Sequence, residues 1–279
     1  MKNFQRTING QVYKGRVFEE EDILKKLGRN ISDWELINKY QKTFPQLLLD
    51  DTDDFVIDAR TLHTELGVGR DFTNWVKSNT KSLGSVENTD FIELTPLKAK
   101  TLKVGRSTKD YSFTIEVAKD IAMTTGTNPR ANDMLKENSK LVRNYFTLVE
   151  KCLKDMDSWN EVREPEKKSY NEMSKEIDEW GTRNEIPNVD RFLQKRECNM
   201  INMALLNHKA IDIRSILKSK NNITRDNFTS EYNKIIDQLQ QMVINQLLLD
   251  LPFSKREEQI KKICELRYKH IKEDFKKFL

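Results

Sequence analysis

Residues 57–77 of the chain, IDARTLHTELGVGRDFTNWVK, predict two short helices separated by a turn. Asp58 stands at the N-cap position of the first helix, and leucines follow it at helical spacing. Gly67 interrupts this helix, and Asp71 begins the next. The apolar positions of the second helix fit the same 3.6-residue period and are Phe72, Trp75, Val76 and Leu83. Two helices that meet across a glycine turn are typical of a helix-turn-helix.

A predicted hairpin with a basic tip follows this pair of helices. The segments DFIELTPL at 90–97 and KDYSFTI at 109–115 are rich in β-branched and aromatic residues and predict two strands. The loop between them has no acidic residue, and its positive charges are Lys98, Lys100, Lys103, Arg106 and Lys109. A helix-turn-helix followed by such a hairpin is the outline of a winged helix-turn-helix.

The rest of the chain reads as helical. We predict helices at 19–27 and 34–43, an amphipathic helix after Thr114 and a long helix from 131 to 156. Three further helices are expected at 189–218, 224–251 and 255–278. With only 9 Gly and 6 Pro, the composition favours long helices over a β-sandwich or barrel.

We therefore predict a mainly α fold with a small β-hairpin, in which a winged helix-turn-helix-like module precedes a C-terminal helical bundle. The length of 279 residues suits at least two packing units. The predicted division is a helical prefix with an acidic linker at 1–54 and a module at 55–154. The predicted division continues with a charged connector at 155–186 and a three-helix bundle at 187–279.

One predicted bundle helix carries a coiled-coil-like seam. Its members follow 3-4 spacing and are Tyr232, Ile235, Leu239, Met242, Gln246 and Leu249. Such a seam packs either inside a bundle or against a second chain, because spacing alone does not identify the partner helix. The same helix carries further leucines, so we expect a homo-oligomer. The predicted oligomerisation residues are Tyr232, Ile235, Leu239, Met242 and Leu249.

Four phrases, in order, resemble the AntA/AntB antirepressor family of temperate phages. They are IDARTLHTELGVGRDFTNWVK at 57–77, VENTDFIEL at 86–94, GRSTKDYSFTIEVAKDIAM at 105–123 and VRNYFTLVEK at 142–151. The resemblance covers about residues 56–151. It implies a phage-encoded protein that antagonises a repressor and promotes lytic induction. The C-terminal helices do not resemble the KilAC domain that ends many antirepressors.

The second helix of the turn motif offers the first set of candidate contact residues. They are the polar positions left when its apolar face is buried, namely Arg70, Thr73, Asn74, Lys77 and Lys81. These side chains either face a DNA groove, where Asn reads adenine and Arg or Lys reads guanine, or form an ordinary solvated face. The basic loop either neutralises phosphates or meets an acidic surface on a repressor. Trp75 is expected to anchor the core, and His63 to pack or hydrogen-bond near the turn.

Other classes of protein find little support in the sequence. His63, His208 and His270 are far apart, and so are Cys152, Cys198 and Cys264, so no metal site or disulfide framework is expected. We find no catalytic motif, and we expect neither an enzyme nor a cofactor. The most apolar run, near 243–253, is about half the length of a membrane span. We expect a protein of the host bacterial cytoplasm.

Three functions remain open at this point. The leading one is an antirepressor that binds a phage repressor or another regulatory protein. The alternative is a sequence-specific DNA-binding regulator that uses the winged module. A third is a phage adaptor whose bundle binds a host protein.

Overall fold

A computed structural model describes residues 1–8, 11–49, 57–94, 109–219 and 223–279. These residues form two compact units. The first unit consists of Met1–Leu24 and Arg29–Leu153, and the second consists of Lys25–Gly28 and Lys154–Leu279. The fold is mostly helical with small antiparallel sheets, which confirms the predicted fold class.

The N-terminal segment begins with a β-hairpin, so the predicted helical prefix is wrong for the first 17 residues. Strand β1 (Lys2–Ile8) pairs antiparallel with β2 (Gln11–Val17), with Ile8 opposite Gln11. The dipeptide Asn9-Gly10 between the strands is a strong sequence signal for a hairpin.

Helical structure begins only after this hairpin. A π-helical turn at Asp22–Lys26 lies within the predicted helix at 19–27. Helix α1 (Ile31–Tyr40) begins and ends three residues before the predicted helix at 34–43. Asn30 caps α1 by accepting the Asp33 backbone N–H at 2.9 Å. A 3-10 turn follows at Pro45–Leu48. The acidic run at 50–54 lies outside the described residues.

The central module follows the predicted order of elements. Strand β3 (Ile57–Asp58) leads into α2 (Ala59–Leu66), which is followed by α3 (Phe72–Leu83), β4 (Phe91–Leu94), β5 (Asp110–Phe113) and α4 (Ile115–Thr127). The strands form one antiparallel sheet in the order β3-β5-β4. The loop that would form the wing, 95–108, lies outside the described residues, so the winged helix-turn-helix stays a prediction.

Helix α5 (Asp133–Arg183) is 51 residues long and passes through the segment predicted as a connector at 155–186. The prediction of a separate connector is therefore wrong, although Pro165 lies inside the helix. Its second half carries a buried stripe with 4-3 spacing. The stripe consists of Trp159, Arg163, Glu166, Tyr170, Met173, Ile177 and Trp180, of which only Tyr170 is not fully buried. Two of its members are charged, so the sequence does not show a continuous apolar period along this part of the helix.

The remaining helices of the second unit pack around an apolar core. They are α6 (Phe192–Leu206), α7 (Ala210–Ile216), α8 (Ser230–Leu248), α9 (Phe253–Arg267) and α10 (Lys269–Phe275). The first and last of the three predicted bundle helices are each split in two. Asn207 ends α6 with a φ of 62°, in the left-handed region where Asn is tolerated. The second half of α5 contributes to the same core.

Candidate partner-binding surface

The turn between α2 and α3 is fixed by backbone hydrogen bonds. Gly67 has φ 73° and ψ 34°, a conformation in which glycine lacks the steric penalty of other residues. Its N–H is donated to the Thr64 carbonyl at 3.0 Å, and the Val68 N–H to the His63 carbonyl at 3.3 Å. This pair of bonds is a Schellman motif, which satisfies the last carbonyls of α2 and turns the chain toward α3.

His63 and Trp75 join the two helices behind this turn. Nε2 of His63 lies 2.8 Å from the Arg70 carbonyl, so the ring donates its proton across the turn. The His63 ring also packs edge-on against Trp75, with centroids 4.9 Å apart. Trp75 is buried, and its ring packs edge-on against Phe113 of the sheet, with centroids 6.4 Å apart. The structure thus confirms that Trp75 lies in the core and that His63 packs beside the turn.

Burial of one side of α3 leaves its polar side in solvent. Of the candidate residues, Arg70, Asn74, Lys77 and Lys81 are exposed, and Thr73 is half-buried. Ser78 is exposed on the same side, four residues after Asn74, and helical spacing would have identified it. We use the name α3 face for five of the exposed residues: Arg70, Asn74, Lys77, Ser78 and Lys81.

The charge of this surface is positive. Helix α3 carries two lysines and no acidic residue within Phe72–Leu83, and Arg70 adds a third positive charge just before it. Asp71 is engaged as the N-cap, where its carboxylate accepts the Asn74 backbone N–H at 3.0 Å. The α3 face can therefore bind a negatively charged partner and form hydrogen bonds to it through an amide and a hydroxyl.

Ion pairs hold the strands beside these helices. Lys109 lies 2.7 Å from the carboxylate of Glu93, which joins β4 to the residue before β5. The hydrogen bond to Glu93 raises the pKa of Lys109 above its usual value. Arg60 of α2 pairs with Asp110 and lies 4.2 Å over the ring of Phe72. Lys109 was predicted as a contact residue, but its charge is largely balanced by Glu93.

The four other residues of the basic loop, Lys98, Lys100, Lys103 and Arg106, lie outside the described residues. Of the predicted surface, the structure therefore describes the α3 residues and Lys109, the residue before β5. The arrangement of the loop stays a prediction. Among the described residues no cluster of three or more His, Cys, Asp or Glu side chains could hold a metal ion.

The predicted oligomerisation residues of α8 are mostly internal. Tyr232, Ile235 and Leu239 are buried in the core of the second unit, and Met242 packs against it. Only Leu249, just beyond the end of α8, is exposed. The seam therefore has a partner within the chain, and a homo-oligomer would need a different surface.

The comparisons with known proteins bear on the central module. Residues 57–127 match the sequence model of the AntA/AntB antirepressor family. The match covers about a quarter of the chain, from β3 to the end of α4, and confirms the resemblance for that segment. No curated protein and no solved structure gives a significant match to the chain.

Among the residues that the structure describes, no helix combines the length and the apolar character that crossing a bilayer requires.

Proposed function

We propose that this chain is a phage or prophage antirepressor that binds and inactivates a repressor and so promotes lytic induction. The observation that carries the proposal is the match of residues 57–127 to the AntA/AntB antirepressor family. We propose a regulatory role without catalysis or cofactor, exercised in the cytoplasm of the bacterial host.

The α3 face supports a direct contact with the repressor. It combines three positive charges with Asn74 and Ser78 and is held rigidly by the Schellman turn and the His63–Trp75 contact. Complementary charge at an interface raises the association rate and rejects partners of the wrong sign. An acidic patch on the repressor is therefore the expected counterpart of the α3 face.

Reversing the charge of the α3 face should prevent repressor binding. We expect Arg70→Glu/Lys77→Glu/Lys81→Glu to weaken binding by about 10- to 100-fold or more, because like charges would then face each other. The repressor is identified by mass spectrometry after capture from a lysogen extract and is then purified. Its release from operator DNA is measured as the wild-type or variant chain is added.

The matched control reverses three exposed charges elsewhere in the first unit. The variant Arg130→Glu/Lys140→Glu/Lys151→Glu changes the net charge by the same amount, and all three side chains are exposed. It should release the repressor as the wild type does. Equal activity of the α3 variant and the control would contradict a role for the α3 face.

The basic loop has a separate expected effect. Replacing Lys98, Lys100, Lys103 and Arg106 by Glu should abolish partner binding, because it converts a run of positive charge into negative charge. The helical signal in circular dichroism should be unchanged. A quadruple variant that binds normally would remove the loop from the proposal.

A second function is favoured by the residue types on the α3 face. Asn and Arg or Lys side chains on an exposed helix are those that read adenine and guanine in the major groove. A sequence-specific DNA-binding regulator should prefer one duplex over random DNA by about 10³ or more at physiological salt. An antirepressor that acts through protein should bind duplex weakly and without preference. Gel shifts with a randomised duplex library distinguish the two.

A further inference from the structure

Two turns of the second unit lie side by side at one end of its helices. One joins α5 to α6, and the other joins α8 to α9. Arg183, at the end of α5, donates to the Leu247 carbonyl at 3.1 Å and pairs with Asp250 at 3.4 Å. The guanidinium of Arg196, on α6, lies 4.3 Å over the ring of Phe253, at the start of α9. We call this region the bundle end.

Apolar side chains are exposed on both turns of the bundle end. The exposed fractions are Ile186 36%, Val189 68%, Phe192 57%, Leu248 56% and Leu249 73%. A protein surface usually carries exposed apolar residues singly, whereas a group of them marks an interaction site.

The backbone of the first turn holds its apolar side chains outward. Asp190 and Arg191 both have left-handed φ values, 50° and 56°, which are costly for residues with a Cβ. Asn188 fixes the turn by accepting the Leu193 N–H at 2.9 Å and donating to Gln194 at 2.8 Å. A strained conformation that is held in this way, with Val189 and Phe192 in solvent, is expected where the side chains have a binding role.

The size of the patch matches one half of a dimer interface. Its side chains expose on the order of 500 Å² if each presents roughly 150–200 Å² when fully exposed, which is the lower part of the range for aromatic side chains. A stable dimer buries about 800 Å² per partner, and about 65% of a homodimer interface is apolar. The apolar part required per partner is therefore also on the order of 500 Å².

The charges around the patch suit a copy of the same surface. The two turns carry both signs, with three acidic and two basic side chains: Glu185, Asp190, Asp250, Arg183 and Arg191. A two-fold axis brings the same patch of both copies together, so a patch that carries both signs can place acidic side chains of one copy opposite basic side chains of the other. It does not suit an anionic partner such as nucleic acid or an acidic membrane, which would require a basic rim.

We propose that the bundle end is a homodimer interface, on which a second copy of this chain docks by a two-fold axis. The interface differs from the α8 seam and shares only Leu249 with it. It does not depend on the proposed antirepressor function, because it involves neither the α3 face nor the central module.

The test replaces two apolar residues of the patch in the full chain. Val189→Lys/Leu249→Lys should weaken the dimer by on the order of 10³-fold, because each substitution acts in both copies. Sedimentation velocity and light scattering should show the wild type passing from monomer to dimer between one and one hundred micromolar, while this variant should stay monomeric over the whole range. Circular dichroism checks that the variant is folded.

A matched control uses equally exposed apolar residues of the second unit. Ile211 is 66% exposed and Leu266 is 75% exposed. Ile211 follows α6, and Leu266 lies near the end of α9. Both helices begin at the bundle end and are 15 residues long, so both residues lie about 20 Å from the bundle end along the helix axis. Ile211→Lys/Leu266→Lys should remain a dimer.

Hydrogen exchange of the unmodified chain provides a test that needs no variant. Peptides covering 184–193 and 247–254 should exchange more slowly at one hundred micromolar than at one micromolar, while peptides around 211 and 266 should not change. A monomeric wild type, a dimer that survives Val189→Lys/Leu249→Lys, or the absence of concentration-dependent protection would each overturn the proposal.

Discussion

The Trp75→Ala variant is expected to lose about 3–5 kcal/mol of unfolding free energy, the usual cost of removing a buried aromatic side chain. Trp75 is 3% exposed and packs between His63 and Phe113, so it joins α2, α3 and the sheet. Its removal leaves a cavity behind the turn that positions the α3 face. Partner binding should therefore be lost together with the fold of the module.

Two measurements separate this effect from a general loss of folding. Hydrogen exchange should increase in peptides covering 57–83 and 110–122, and peptides of the second unit should keep their protection. Trp75→Phe should retain most of the stability, because it keeps an aromatic ring at the same position. A variant Trp75→Ala with unchanged protection would show that the ring does not anchor the core.

The central module could be predicted from the sequence because its signals are local. Asp58 and Asp71 cap their helices by accepting backbone N–H groups of Thr61 and Asn74, as their positions indicated. Gly67 adopts the left-handed conformation expected at a helix end. Each of these signals acts within four residues, so it is visible without knowledge of the tertiary fold.

The second half of α5 could not be predicted because its buried stripe includes charged residues. Arg163 and Glu166 are buried and pair with each other, and Arg163 also pairs with Asp226 at 2.9 Å. Asp226 is 63 residues from Arg163 in sequence, and only the fold shows that the two side chains pair. The charged residues of this segment therefore predict an exposed surface, whereas in the structure they form a buried network of ion pairs.

The candidate surface likewise has one part that the sequence predicts and one part that only the fold shows. Helical period identified four of the five residues of the α3 face, because the buried side of α3 determines the exposed one, and it missed Ser78. The pairing of Lys109 with Glu93 depends on strand register, in which Glu93 lies opposite Tyr111. The sequence of the loop does not show the strand register. From the sequence alone, Lys109 is therefore predicted as an unpaired charge of the basic loop.

The Glu197–Arg256 pair is the second place where a single substitution should have a large effect. Both side chains are almost completely buried, with 1% and 0% exposed, and the pair joins α6 to α9. Two contacts link them, Nη2 to Oε1 at 2.5 Å and Nε to Oε2 at 3.3 Å. The guanidinium also lies 4.5 Å over the ring of Trp180, which leaves water little access to it.

Glu197→Gln should therefore cost about 3–5 kcal/mol of unfolding free energy, because it leaves the Arg256 charge buried without a counter-charge. Replacing both partners, as in Glu197→Leu/Arg256→Met, should restore most of this loss, since an apolar pair has no desolvation penalty. Urea denaturation, with hydrogen exchange of peptides from α6 and α9 to assign the transition, measures both variants. The interpretation fails if Glu197→Gln costs less than about 1 kcal/mol, or if the double variant is no more stable than Glu197→Gln.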